Sequence, residues 1–303
     1  AAVRLARAFT GRDKIMVCGY HGWQDWYIGT TTKDSGVPNS VKELSFQVPF
    51  NDLEAVEWLL KKYKNQFSAL IIEPVNTEEP DEDYFKNLKS LLHRDGALLI
   101  FDEIITGFRL ALGGAQEYYD VVPDISCLGK SLANGMPISA IVGRQDIMKE
   151  MENIFFSGTF SGETLSIAAS IAVIDKIKRE PIISKLWKTG AHLASEVVKI
   201  IEKNELGKII SLNGLDPWKI INVSHESAVI ERQIKTFLIQ EMLFEGVLLT
   251  SSHNISYAHN SENIDNVIRA YKAVLPKIRK GLDNNNLASQ ITGSIIQPIF
   301  NIR

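Results

Sequence analysis

Three groups of residues follow one another in an order that suits covalent chemistry. Asp102 ends the apolar run Ala97 to Phe101 (ALLIF), a glycine-rich loop spans Thr106 to Gly114, and Lys130 follows Gly129 after the short run Ile125 to Leu128. Singly, each has an ordinary reading. A lysine after a glycine is usually a solvated surface residue, and an acid at a strand end usually caps a helix or ties a loop. As a set they fit one reaction type. A lysine that attacks a carbonyl to form an imine needs its amine unprotonated near neutral pH, which desolvation favours, and a position just after a buried strand would supply that. A carboxylate opposite a ring nitrogen keeps that nitrogen protonated and makes the ring an electron sink for a carbanion.

The flanking pattern predicts the elements that must hold these groups. Leu53, Val56, Leu59, Leu60 and Tyr63 recur at helical spacing within Asn51 to Phe67, with Asn51 as N-cap and Glu54 three residues on. Ala69 to Val75 (ALIIEPV) reads as a strand buried on both faces, and a helix with Phe85, Leu88, Leu91 and Leu92 inward ends at Gly96 before the ALLIF strand. Strand, helix, strand implies a right-handed parallel crossover. Ile125 to Leu128 and Ile138 to Val142 supply two further strands. Polar residues thus recur at strand C-termini, where open parallel sheets bind ligands. Beyond about Arg179 the pattern predicts a helix at Ile183 to Glu202, a strand at Lys219 to Val223, a helix at Glu231 to Phe244, a strand at Val247 to Thr250 and a helix from Ile264 to Lys280. The expected division is a large domain at 1–180, a smaller α+β domain at 181–282 and an unassigned tail at 283–303.

Length and composition read as a soluble globular protein with a large and a smaller domain. The chain has 303 residues, 45% of them apolar, and a formal net charge of -3, which gives no global attraction to nucleic acid or an anionic membrane. Its only cysteines, Cys18 and Cys127, need no disulfide framework and suit a reducing, cytoplasmic setting. No apolar run is long enough to span a bilayer. The basic opening AAVRLARAFTGR fits a helix stopped by Gly11 better than a transit peptide, and the missing initiator Met suggests a start partway through a longer protein.

The stretch LLIFDEIITGFRLALGGAQEYYDVVPDISCLGKSLANGMPISAIVG resembles the cofactor-binding core of class III pyridoxal-phosphate (PLP) aminotransferases, and GFRLALGGAQ is particularly similar to glutamate-1-semialdehyde 2,1-aminomutases. The resemblance implies a fold-type I PLP transferase with a mainly parallel sheet sandwiched by helices. It implies that Asp102 binds the pyridine nitrogen, that Ile104 packs on one ring face, and that Lys130 forms the Schiff base and later shuttles the proton. In Gly19-Tyr20-His21-Gly22, it implies that Tyr20 stacks on the other ring face beside His21. Asn76 stands where the family often has a Gln near the cofactor's phenolic oxygen, and Glu78 where many members have an acid lining the site. FFSGTFSGETLSIAAS resembles the stretch in which a Thr, here Thr159, reaches across a homodimer interface to the neighbouring cofactor's phosphate. Without the family, Thr159 reads as a Ser/Thr cap before a helix starting near Glu163.

The sequence also departs from the pattern. A Ser-Gly-Thr-like phosphate loop precedes the family's equivalent of the helix that opens Ala1-Ala2-Val3-Arg4. Gly246 to His259 (GVLLTSSHNISYAH) is shorter than in the aminomutases, and EPVNTEEP also differs from the aminomutase form. Both changes touch the substrate side, where His253 and Asn254 are candidate contacts. They favour an aminotransferase acting on an amino donor and a keto or aldehyde acceptor, with a 2,1-aminomutase and a catalytically silent scaffold or fragment as alternatives. No G-x-G-x-x-G follows a strand, which argues against dinucleotide binding.

Overall fold

The computed structural model describes residues 1–75 and 77–298. Residues 1–183 form one compact unit and residues 184–298 a second. The first is built on β1 (Lys14–Cys18), β2 (Ser45–Gln47), β3 (Phe67–Ile72), β4 (Leu98–Glu103), β5 (Ile125–Leu128) and β6 (Ala140–Gly143). They form one sheet in the order β2-β1-β3-β4-β5-β6, parallel throughout except for the β5–β6 pair. This is a mostly parallel α/β sheet, as the apolar runs predict.

Because successive side chains of a strand point to opposite faces, each central strand feeds both sides of the sheet. Met16, Leu70, Ile72, Leu99 and Phe101 pack with Val56, Leu59 and Leu60 of α2 (Leu53–Lys62) and Phe85, Leu88 and Leu92 of α3 (Tyr84–Asp95). On the other face Ile15, Val17, Ala69, Ile71, Leu98 and Ile100 meet Ala2, Leu5 and Ala6 of α1 (Ala2–Thr10). Continuous apolar runs are therefore required, since neither face meets water. The unit closes with α4 (Thr164–Arg179).

The second unit is led by α5 (Ile182–Lys203) and contains an antiparallel sheet of β7 (Ile210–Asn213), β8 (Trp218–Val223) and β9 (Ser252–Asn254), with β8 central. The helices α6 (Ala228–Phe244) and α7 (Ser261–Asp283) complete it. The tail runs along α6: Gln240 Oε1 accepts from Thr292 N at 2.8 Å and Thr236 Oγ1 accepts from Ile296 N at 3.0 Å.

Several local expectations are corrected. The cap of α2 is Asp52, whose Oδ1 accepts from Ala55 N at 2.8 Å, whereas Asn51 adopts φ 60° and ties a loop by donating to Glu79 O and accepting from Asp81 N. The strand expected at Val247 to Thr250 lies instead at Ser252–Asn254, because the pairing register Trp218↔Asn254 and Ile220↔Ser252, not hydrophobicity, selects the segment. β6 starts at Ala140 and runs antiparallel to β5. β3 begins at Phe67 and ends at Ile72, ahead of Pro74.

Candidate functional site

The predicted residues gather at the C-terminal edge of the parallel strands. Ile72 pairs with Phe101, and Asp102 with Cys127, so Glu73 and Asp102 come side by side on the face that carries Ile71 and Ile100. Cys18 pairs with Ile72, which brings Gly19 alongside Glu73 on that same edge.

Asp102 is fixed on both oxygens: Oδ1 accepts from Ile104 N at 3.2 Å, and Oδ2 lies 2.8 Å from His21 Nδ1. His21 Nε2 is 3.0 Å from the Cys18 carbonyl, which can only accept, so Nε2 carries a proton. The Nδ1···Oδ2 contact of 2.8 Å ties the ring to the carboxylate. The His21 ring also stacks on Trp26, with centroids 6.1 Å apart. Two residues 81 positions apart are thus joined by one hydrogen bond, with side-chain exposures of 1% for His21 and 12% for Asp102.

Lys130 leaves the end of β5 with φ 38°, a left-handed backbone uncommon for a residue with a side chain and concentrated at functional sites. Its carbonyl accepts from Asn134 N at 3.0 Å, which closes the turn. Ile104 Cδ1 fills the space that a Cβ at Gly129 would take, 2.9 Å from it, so Ile104 lies against the backbone that launches Lys130. Lys130 was expected to be desolvated and is exposed. Its charge still reaches the cluster. Burial pushes the Glu73 carboxyl up, the Tyr20 amide and the charge of His21 pull it down, Asp102 pushes it up again, and Lys130 pulls it down.

Tyr20 is 53% exposed, meets Tyr27 edge-on at 5.6 Å between ring centroids, and donates its backbone N–H to Glu73 Oε2 at 2.8 Å. Tyr20, His21, Asp102, Ile104 and Lys130 are therefore brought together. Glu78 is exposed on the loop after β3, and its charge helps burial and Glu73 push the Cys18 thiol to about 12. Cys127 is also pushed to about 12, chiefly by burial, so neither cysteine supplies a thiolate near neutral pH. Thr159 is exposed in the segment before α4 and bonds to no other candidate among the described residues. It is not the cap of that helix. Glu163 is, accepting from Leu165 N and Ser166 N at 2.7 Å each. Asn76 lies outside the described residues. Among the described residues no group of His, Cys, Asp and Glu is arranged to hold a metal.

The class III aminotransferase profile matches residues 1–269. The chain belongs to the class III aminotransferase family. It is 36% identical to glutamate-1-semialdehyde 2,1-aminomutase of Methanosarcina acetivorans over 301 residues, covering 89% of this chain and 70% of that protein. It is 31% identical to 3-aminobutyryl-CoA aminotransferase of Cloacimonas acidaminovorans, covering 93% and 69% of the two chains. An omega-transaminase from Sphaerobacter thermophilus has the same fold, with a TM-score of 0.83 at 22% identity over 92% of this chain and 71% of that one. No helix among the described residues is long and apolar enough to cross a membrane.

Against this class III background, two acids at the edge were missed by sequence reasoning. Glu73 and Glu103 are both buried, at 9% and 0% exposure. Glu103 Oε2 accepts from Thr106 Oγ1 at 2.9 Å and Ala115 N at 2.5 Å, and Oε1 from Gln116 N at 3.2 Å and Gln116 Nε2 at 3.3 Å. It ties the glycine-rich loop back onto the strand that carries Asp102. Gly114, at φ 79°, lies so close to this carboxylate that a Cβ there would overlap it. Glu73 directly follows buried Ile72 and Glu103 follows Asp102 as the last residue of β4, and a position at a strand end was the available signal. His253, a candidate substrate contact, is instead a bonded core histidine: it is 8% exposed and Nε2 lies 2.8 Å from Tyr271 Oη.

Proposed function

We propose that this chain carries the PLP-binding part of an aminotransferase that moves an amino group between an amino donor and a keto or aldehyde acceptor. The observation that supports this reading is that Asp102 stands near the end of β4 and Lys130 follows the neighbouring parallel β5, with the charges of His21, Asp102 and Lys130 all acting on Glu73 beside them. The residues fit the cofactor. The Asp102 carboxylate retains 12% side-chain exposure at the edge and has lone pairs left after its two contacts, and Tyr20, next in the chain to the His21 that holds it, is half exposed. When bound, PLP supplies an electrophilic carbon and a ring that delocalises negative charge. Asp102, held by His21 and the Ile104 amide, would face the ring nitrogen and favour its protonated form. Tyr20 and Ile104 would flank the ring, and the family resemblance assigns Asn76, Glu78 and His21 to its surroundings. Lys130 would be the residue whose amine holds the cofactor and, when free, moves the substrate's α-proton.

We assign these roles to a large domain at 1–180, with a smaller domain at 181–282. A homodimer with Thr159 reaching the partner's cofactor phosphate is part of the same reading. It is supported by exposed Phe155, Phe156 and Phe160 around Thr159 and exposed Leu165, Ile167 and Ile171 on α4, an apolar surface too large to leave wet. Unpaired Cys18 and Cys127 fit a cytoplasmic setting.

A second reading, intramolecular amino transfer of the 2,1-aminomutase kind, is favoured by the 36% identity to the Methanosarcina acetivorans enzyme. Supplying the protein with PLP, a panel of amino donors and a separate keto or aldehyde acceptor tests both. Release of a keto product that depends on the acceptor supports the transaminase, and isomerisation of an amino aldehyde without an acceptor supports the mutase. No turnover of either kind, with no PLP bound, would refute both in favour of a silent scaffold.

A further inference from the structure

We propose that Glu73 is a positioning residue of this site, a clamp on the Gly19–Tyr20 peptide that sets where the Tyr20 ring and the His21 imidazole stand relative to Asp102. The inference rests on reading Tyr20, His21 and Asp102 as the PLP-binding face. Glu73 grips the chain leaving β1 twice. Its backbone N–H donates to the Cys18 carbonyl at 3.1 Å, and its side-chain Oε2 accepts from Tyr20 N at 2.8 Å. The same Cys18 carbonyl takes the His21 Nε2 proton at 3.0 Å, so the turn from Cys18 to His21 is pinned at three points, two of them through Glu73.

The approach is so close that it requires glycine at position 19. With φ at 100°, a Cβ on Gly19 would stand 2.6 Å from Glu73 Oε2 and 3.1 Å from Glu73 Cβ. Tyr20 is 53% exposed and meets Tyr27 edge-on, and the backbone that Glu73 holds is what carries its ring to that place. The carboxyl also shares one electrostatic set with the reactive groups, since His21, Asp102 and Lys130 all act on it. An acid needed only to close a turn would have no reason to sit among them.

The test compares Glu73→Gln with Glu73→Ala in the full chain. A glutamine carbonyl can still accept the Tyr20 N–H, whereas alanine cannot. Amide hydrogen exchange at Tyr20, read without cofactor, and PLP affinity, read by fluorescence titration, are the two measurements. Glu73→Gln should stay within about threefold of the parent in both, and Glu73→Ala should exchange about tenfold faster or more at Tyr20 and bind PLP about tenfold more weakly, as expected for loss of one bond to a charged acceptor. Parent-like behaviour of Glu73→Ala, or equal losses in both variants, would overturn the clamp. Should Glu73→Ala fail to fold, the unaltered protein still decides: a Tyr20 amide no better protected than that of exposed Trp23 refutes the proposal. A protected Tyr20 in a parent that binds no PLP would refute the cofactor reading instead, and the exchange data separate the two failures.

Discussion

Replacing Glu103 by Gln should remove half of the side-chain bonds that hold the glycine-rich loop to β4. The carboxylate accepts from four donors, two on each oxygen: Thr106 Oγ1 and Ala115 N on Oε2, Gln116 N and Nε2 on Oε1. A glutamine must turn its NH2 group toward one of these pairs, whichever way it is placed. Two bonds to a charged acceptor are then lost and two donors face a donor, at about 1.5–3 kcal/mol each, or about 3–6 kcal/mol together. Relief of a buried charge offsets part of this, since burial already pushes the Glu103 carboxyl up. The lower end, about 3 kcal/mol, is therefore expected, against a total domain stability of about 5–15 kcal/mol. With a urea dependence of about 2–3 kcal/mol per M, the unfolding midpoint of the first unit should fall by about 1 M, followed through Trp26 and Trp58 fluorescence. A midpoint within about 0.3 M of the parent would refute the claim that this carboxylate organises the loop.

Other outcomes follow from the same contacts. Burial, with a smaller effect of His259, holds His253 down to about 4, below its unfolded value of about 6.5. The folded state binds fewer protons in that window, so the stabilisation is complete above about 6.5 and is lost as pH falls through about 4, by up to about 3 kcal/mol. Urea midpoints measured from pH 7 to pH 4 should slope accordingly in the parent and lose that slope in His253→Gln. Asp124 is fully buried, accepting from Leu99 N at 2.8 Å and paired with His93 and Arg144, so Asp124→Ala should cost about 3 kcal/mol or more in denaturant titration. Phe155→Ser combined with Phe160→Ser should shift the sedimenting species from dimer to monomer, because both rings are exposed, at 83% and 66%.

Much of the first unit was legible because strands buried on both faces must be apolar throughout. Ile125–Leu128 was read at its observed limits, and the order of Asp102 and Lys130 on neighbouring strands followed from it. β1, KIMVC, has only three aliphatic residues between Lys14 and Cys18 and was passed over, and β2 is a three-residue edge strand whose half-buried side chains leave no period to detect. Direction was harder than existence: β6 turns back antiparallel through the segment after Lys130, and nothing in its own residues records that. In the second unit, β9 is chosen by the partner strand, and the more apolar Val247 to Thr250 leaves Leu248 83% exposed. Contacts that make the site work across long separations, His21 with Asp102 and Glu73 with Tyr20, exist only once the strand order is known.

The account stands or falls on whether Asp102 and Lys130 serve opposite ends of one bound ring. Incubating the protein with PLP, reducing with borohydride and mapping the peptides measures this directly. The prediction is a phosphopyridoxyl mass on Lys130, absent from Lys130→Ala and much reduced in Asp102→Ala. A label spread over surface lysines, or one at full yield on Lys130 regardless of residue 102, would contradict it.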